Sequence, residues 1–188
     1  MPIGRPAFGF ALIDLPSDHE VDGGLATECQ VISALLHNRN LGSSTKHIRA
    51  TTKESFNRNV KGPYPHLGFV HLATHGYRHG ISLIGDSVRW SALADALRRV
   101  APPLKRRQQR VLCLSCCYSK YGYRAMRSHL KGHFTGCYFF PEKAISFASS
   151  MTVWAMFYRR KTVEKPAKAI VDAVNTYFGR EVIEYDTI

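Results

Sequence analysis

Short apolar runs separated by stretches of helical periodicity constrain this chain more than any other feature. The runs at residues 8–15, 67–75, 110–116 and 134–140 are rich in aliphatic, aromatic and cysteine residues. Runs of this kind are typical of strands that are buried on both faces of a sheet. Parallel strands need a long crossover connection, usually a helix, so the alternation predicts βαβ units.

The segments between the runs have the spacing of amphipathic helices. Leu25, Cys29, Ile32 and Leu36 recur every three or four residues, and a similar stripe follows residue 90. We therefore predict an α/β fold, a three-layer α/β/α sandwich with a mostly parallel central sheet and helices on both faces. At 188 residues, with no linker-like segment, we expect a single domain spanning 1–188.

Local start and stop signals refine this prediction. Thr52 precedes a short helix, and Gly85-Asp86 between two short runs indicates a hairpin. Ser91 is the predicted N-cap of the next helix, which should stop before Pro102. A final helix is predicted from about Pro166 to Gly179, with proline first and glycine last.

The formal net charge is +12, and the excess is clustered in residues 98–110 and 159–161. A basic balance favours acidic partners, including nucleic acid, although clustered charge also serves as an ordinary solvated face. Aromatic residues do not interleave these clusters as single-strand binders require. Nucleic acid is therefore a secondary expectation for a partner.

The five cysteines are an odd number, and three of them fall within residues 113–117. This is poor material for a secreted disulfide framework. The N-terminal apolar stretch lacks a signal-peptide cleavage pattern, and no segment is long enough for a membrane span. We therefore expect a reducing, cytoplasmic location, in which a thiol stays free to react.

Two of the predicted strands end in residues that suit nucleophilic catalysis. One ends in His75-Gly76 and a later one in Cys116-Cys117. If these strands are neighbours, their carboxyl ends bring an imidazole beside a thiol, and the imidazole raises the thiolate fraction. Gly76 would contribute through its backbone, by leaving room for a substrate carbonyl or by supplying an N–H to an oxyanion.

Other histidines and cysteines have simpler interpretations. His71 is expected to be a satisfied core histidine or one that supports the site, and Cys113 a small buried hydrophobe. A zinc site is disfavoured because Cys113 and Cys116 lie on opposite faces of a strand. We therefore expect no metal and no other cofactor.

The two strand ends resemble the caspase-like cysteine peptidases, in particular the CHAT-type branch. That family has an H-x-A-T-H-G strand end followed, one strand later, by L-S-A-C; here HLATHG stands at 71–76 and LSCC at 114–117. The resemblance implies that His75 is the catalytic histidine, Gly76 its glycine and Cys117 the nucleophile. Cys116 replaces the usual small residue and leaves a second thiol beside the site.

The resemblance implies a cysteine endopeptidase that cuts a protein substrate through a thioacyl intermediate. It suggests a bacterial effector protease that acts in anti-phage defence and that a separate sensor or activator protein controls. The alternative is a catalytically silent interaction module that binds an acidic protein or nucleic acid through its basic surface. Low-ranked candidates for the substrate pocket are Asp86, Asp14 and Glu142 for an acidic wall, Arg78 and Arg124 for a basic one, and Cys116.

Overall fold

The predicted layered α/β architecture is confirmed in a computed structural model, which describes residues 9–16, 24–39, 41, 44–161 and 166–188. Eight strands and six helices occur within these ranges. The strands are β1 (Gly9–Leu15), β2 (Thr45–Arg49), β3 (Leu67–Tyr77), β4 (Gly80–Leu83), β5 (Asp86–Arg89), β6 (Val111–Ser115), β7 (Gly136–Phe139) and β8 (Glu184–Thr187). The helices are α1 (Gly24–His37), α2 (Lys53–Asn59), α3 (Trp90–Val100), α4 (Ser119–Leu130), α5 (Phe147–Lys161) and α6 (Ala167–Phe178).

The main sheet has the strand order β2-β1-β3-β6-β7-β8. Its first five members pair in parallel, and β8 is antiparallel to β7. The β4–β5 hairpin is attached to the last residues of β3 through antiparallel pairs. All carboxyl ends of the parallel strands therefore meet at one edge, where ligands bind in folds of this kind.

Two hydrophobic clusters lie on the two faces of the sheet, and the central strands β1, β3, β6 and β7 contribute alternate residues to both. In β3, Val70 and Leu72 join the cluster with α2, α3 and α4, whereas Phe69 and Ala73 join the cluster with α1, α5 and α6. Burial on both faces is the reason these strands lack the polar alternation of a half-exposed sheet. Among the described residues, no helix combines the length and apolarity needed to cross a membrane.

Several of the predicted start and stop signals act as expected. Thr52 is the N-cap of α2, and it forms a reciprocal capping box with Ser55. Gly85 has a φ of +68° in the β4–β5 turn, a conformation that glycine adopts without steric cost. Gly179 follows α6 in the left-handed conformation, with a φ of +64°, so the last helix ends where glycine predicts.

Two boundaries and one strand differ from the sequence prediction. Helix α3 begins at Trp90 instead of after Ser91, because the Trp90 backbone N–H and indole N–H donate to the carbonyls of His79 and Arg78 at 3.3 and 3.1 Å. Strand β3 continues to Tyr77, since β4 folds back to pair with its end. Strand β8 was not predicted. Phe8 of the predicted first strand lies outside the described residues.

Arg110 organises the end of the sheet at which the parallel strands begin. Its side chain is fully buried beside the first residue of β6. Its Nε donates to the Leu67 carbonyl at 3.1 Å, and its Nη1 donates to the carbonyls of Pro102 and His133 at 2.6 and 2.9 Å. One guanidinium thus joins the start of β3, the α3–β6 loop and the α4–β7 connection.

Replacing Arg110 with methionine should destabilise the fold, because three buried carbonyl oxygens lose their charged donor. We expect the free energy of unfolding to fall by about 3 kcal/mol. Urea unfolding followed by circular dichroism measures this change. Arg124→Met, at an exposed position on α4, is the matched control and should stay within about 0.5 kcal/mol of the parent. Equal stability of the two variants would contradict the role of Arg110.

Candidate active site

Strands β3 and β6 are parallel neighbours, as the sequence argument required. Their registered pairs run from Phe69 with Val111 to Ala73 with Ser115. Two further residues on each chain lead to His75 and Cys117. Both chain segments therefore reach the carboxyl edge of the sheet, where Gly76 lies against the main chain of Cys117. We call the site formed by His75, Gly76 and Cys117 the crevice.

The alternation of side chains separates the two adjacent cysteines. Cys116 is 3% exposed and packs in the cluster with α2, α3 and α4. The thiol of Cys117 lies elsewhere: it is partly exposed and donates a long hydrogen bond, 4.0 Å, to the carbonyl of Ile145 in the β7–α5 loop. His75 follows Ala73 on β3 by two positions, so it shares the face of the sheet that α1 and α5 cover.

Gly76 is required by the close approach of the two strand ends. A Cβ atom at this position would overlap with the carbonyl oxygen of Cys117, and it would lie 3.1 Å from the Cys117 carbonyl carbon and 3.2 Å from Cys116 Cβ. Contacts this short are not tolerated by a real side chain. The lack of a side chain at Gly76 thus lets the chain after His75 lie against the main chain of Cys117. The predicted roles of Gly76 toward a substrate carbonyl and an oxyanion stay predictions.

Cys117 lies in a tight turn between a strand and a helix. The next residue, Tyr118, has the left-handed φ of +56° and is the N-cap of α4. Its N–H donates to the Lys143 carbonyl at 2.9 Å, which fixes the turn against the β7–α5 loop. The first turn of α4 has no acidic residue. The amino end of α4, which carries the partial positive charge of the helix dipole, therefore lies close to Cys117.

Burial distinguishes the two neighbouring thiols chemically. Burial raises the pKa of Cys116 well above that of an ordinary thiol, and the nearby Cys117 and Glu28 raise it further. Because the thiolate is the reactive form, Cys116 remains protonated and inert at neutral pH. Cys117 is the only one of the five cysteines that is not buried. The arrangement therefore favours Cys117 as the sulfur that reacts.

A buried polar network lies directly beneath the crevice. His71 Nε2 is 2.9 Å from Glu28 Oε1 on α1, and both side chains are fully buried. Ser150 on α5 donates to Glu28 Oε2 at 2.7 Å and lies 2.8 Å from the hydroxyl of Ser115 on β6. The network connects both helices to the strands that carry His75 and Cys117. His71 is thus buried in the core, as the sequence suggested, but only Nε2 has a hydrogen-bond partner in the described part of the chain, and the buried Nδ1 has none.

Sequence reasoning missed Glu28 and Ser150, although a signal for both exists. Glu28 precedes Ile32 by one helical turn, and Ser150 precedes Trp154 in the same way. Each polar residue thus falls on the buried stripe of its own helix. A charged side chain in an apolar stripe predicts a buried partner, because an unpaired buried charge is very costly.

Asp86, a low-ranked pocket candidate, lies away from the crevice. It pairs with Lys53 at 3.3 Å, from the β4–β5 turn to the start of α2. There it lines a cleft of about 580 Å³ between α2, β5 and α3. The cleft is also bordered by Phe56, Asn57, Val88, Arg89, Asp95 and Arg99. None of its lining residues belongs to the crevice.

The other two acidic candidates also face cations. Asp14 is buried at the end of β1 and lies 3.8 Å from Arg49 Nε. Glu142 follows β7 and forms a salt bridge with Arg180. Their negative charges are compensated where they stand, so neither provides an open acidic wall.

The two basic candidates are both exposed. Arg78 is in the turn directly after β3, and its carbonyl accepts the indole N–H of Trp90. Arg124 is on α4, seven positions after Cys117. The structure therefore places Arg78 at the carboxyl edge of the sheet beside the crevice, and Arg124 further along a helix that begins there.

Cys113 and Cys116 lie on opposite faces of the sheet, which is the arrangement on which the prediction against a zinc site was based. Cys113 belongs to the cluster with α1 and α5, and Cys116 to the cluster on the opposite face. In the ranges that the structure describes, no three histidine, cysteine or acidic side chains are grouped so as to hold a metal ion.

A scan of protein-family models and a search of curated proteins both find no match to this chain. The chemistry of the crevice is therefore inferred from its own residues. The resemblance of the two strand-end motifs to caspase-like peptidases stays a sequence-based expectation.

Iodoacetamide should alkylate Cys117 alone in the folded protein. At neutral pH the other four thiols are inaccessible, and at about pH 9 the raised pKa of Cys116 still keeps that residue protonated. Peptide mass spectrometry after timed labelling measures the modified site. The unfolded protein in urea should react at all five cysteines, which is the control. Comparable native labelling of Cys116 would contradict the assignment.

Gly76→Ala should disturb the crevice, because the new methyl group overlaps with the main chain of Cys117. We expect the free energy of unfolding to fall by about 1–3 kcal/mol. The alkylation rate of Cys117 should change as well, since the turn that presents it must shift. Urea unfolding and timed labelling measure the two effects. An alanine variant with unchanged stability and labelling rate would show that the contact is not important.

Proposed function

We propose that this chain is a cysteine endopeptidase with Cys117 as nucleophile and His75 as general base and acid. The observation that carries the proposal is the parallel pairing of β3 and β6 in the register of Ala73 with Ser115. The register ends two residues before His75 and Cys117, and beyond it Gly76 lies against the main chain of Cys117, which supports a thiol and an imidazole in one crevice.

The proposed reaction begins when the Cys117 thiolate attacks the carbonyl carbon of a peptide bond. The carbon–nitrogen bond breaks, His75 gives its proton to the leaving amine, and a thioacyl enzyme remains. Water, deprotonated by His75, then attacks the thioester carbonyl. This second step releases the new carboxylate and returns the sulfur as thiolate. The sequence needs no oxidant, reductant or cofactor.

Main-chain groups around the crevice support both negatively charged species of this reaction, the thiolate and the oxyanion. The amino end of α4 begins two residues after Cys117, and the positive end of a helix dipole stabilises nearby negative charge. We assign the oxyanion to backbone N–H groups at Gly76 and Cys117, whose main chains are in close contact. The N–H of Tyr118 is committed to the Lys143 carbonyl and has no part in this role.

The charges near the crevice favour an acidic residue before the cut. Asp14, Asp86 and Glu142 each face a cation, whereas the side chain of Arg78 is exposed beside the crevice. An exposed guanidinium pairs readily with a carboxylate. We therefore propose Arg78 as the basic wall that receives this residue.

The biological setting follows only from the family resemblance. It suggests a bacterial effector protease in anti-phage defence, whose activity depends on a separate sensor or activator protein. The five free cysteines support a reducing compartment such as the cytoplasm. An encoded neighbour of the gene is the natural first substrate and activator to test.

The proposal is tested with peptide probes that carry a thiol-reactive acyloxymethyl ketone after Asp or after Arg. The Asp probe should label Cys117, and His75→Ala should slow that labelling by about 100-fold or more. Co-expression with proteins encoded beside this chain should give cleavage products that Cys117→Ala abolishes. Arg78→Ala should reduce the preference for the Asp probe.

Two matched variants separate catalysis from general damage. Cys116→Ala removes the buried neighbouring thiol and should still react with the probe. His79→Ala removes an exposed histidine in the turn after β3 and should behave like the parent. The peptidase proposal is wrong if Cys117 reacts with the probe no faster than a small-molecule thiol in solution and if His75→Ala and His79→Ala label at equal rates. The alternative, a catalytically silent interaction module, then remains.

A further inference from the structure

A strongly basic surface lies at the end of the sheet opposite the crevice. Seven exposed cations come from three chain segments at this end, and we call this surface the basic end. Its members are Lys61, Arg98, Arg99, Lys105, Arg106, Arg107 and Lys131.

The three segments are fixed against one another by hydrogen bonds. The Leu104 N–H donates to the Gly132 carbonyl at 2.8 Å, which joins the α3–β6 loop to the α4–β7 connection. The Gln108 side chain donates to the Pro65 carbonyl at 2.8 Å, and the Tyr64 N–H donates to Val100 at 2.9 Å. The buried guanidinium of Arg110 lies beneath all three. The basic end is therefore a preorganised surface.

The positive charge of this surface is largely uncompensated. Residues 61–66, 98–110 and 131–135 include no aspartate or glutamate. Arg98 lies 3.6 Å from Asp95, and across the described ranges no other member of the basic end forms an ion pair. Clustered cations without counter-charges repel one another, so binding an anionic partner lowers the electrostatic free energy of this surface.

The surface chemistry favours nucleic acid over an acidic protein. Protein interfaces are centred on buried aromatic or aliphatic anchors. The large hydrophobic residues that are exposed in the described ranges are Tyr121 and Tyr177, and neither belongs to the basic end. Interfaces with nucleic acid are more polar and far more positive, and guanidinium groups suit phosphate oxygens.

The lack of exposed aromatic rings also selects the form of nucleic acid. Single strands are bound by stacking their bases on aromatic side chains, which this surface does not offer. A duplex keeps its bases stacked internally and presents closely spaced phosphates. We propose that the basic end binds double-helical nucleic acid through its phosphate backbone, without sequence preference and independently of chemistry at Cys117.

Fluorescence anisotropy with a labelled duplex of about 20 base pairs tests the proposal over a range of salt concentrations. About five phosphate contacts predict a slope near −4 in a plot of log affinity against log salt. Lys105→Glu/Arg106→Glu should weaken binding at least about tenfold and reduce the slope by about two. DNA and RNA duplexes are both tested, because they share the phosphate chemistry, and the tighter one identifies the natural form.

The matched control places the same charge change at the crevice end of the sheet. Arg78→Glu/Lys143→Glu alters two exposed cations and should leave duplex affinity within about twofold of the parent. Poly-glutamate and an unstructured poly-dT strand are the competing ligands. The proposal would be overturned if the two double variants lost equal amounts of duplex affinity. It would also be overturned if the single strand bound more tightly than the duplex, or if poly-glutamate displaced the duplex at equal charge.

Discussion

The parallel pairing of β3 with β6 is the constraint on which the proposed chemistry depends. It aligns two strands that end in different residue types, and His75 and Cys117 follow the last registered pair, Ala73 with Ser115, by two residues each. Gly76 then allows the chain beyond His75 to lie against Cys117. A shift of one residue in this register would send each side chain to the opposite face of the sheet.

The strands and helices with strong patterns were predictable because burial alone selects them. β1, β3, β6 and β7 show continuous apolar runs, and α1 and α6 show clear stripes. β8 escaped prediction for a physical reason. Its residues are half-buried or exposed at the edge of the sheet, and its pairing with β7 is a long-range interaction that no local pattern reports.

The candidate site was predictable in part. The sequence predicted that His75 and Cys117 follow neighbouring strands at one edge of the sheet, and the structure shows that these strands, β3 and β6, are paired. The choice between Cys116 and Cys117, which the sequence based on motif register alone, acquires an independent argument from burial. The pairing of Glu28 with His71 could not be predicted from the sequence. The two residues are 43 positions apart, and their contact depends on how α1 packs on the sheet.

The length of the central strands sets the spacing between the crevice and the basic end. From Val111 to Cys117 the chain advances six residues, about 20 Å at the usual rise of a strand. An occupant of one end therefore leaves the other open to solvent. If the basic end holds this protein on a long nucleic-acid duplex, the protein would meet other proteins bound to the same duplex at a raised effective concentration. Co-localisation, without any conformational signal through the sheet, would then determine which proteins reach the thiol.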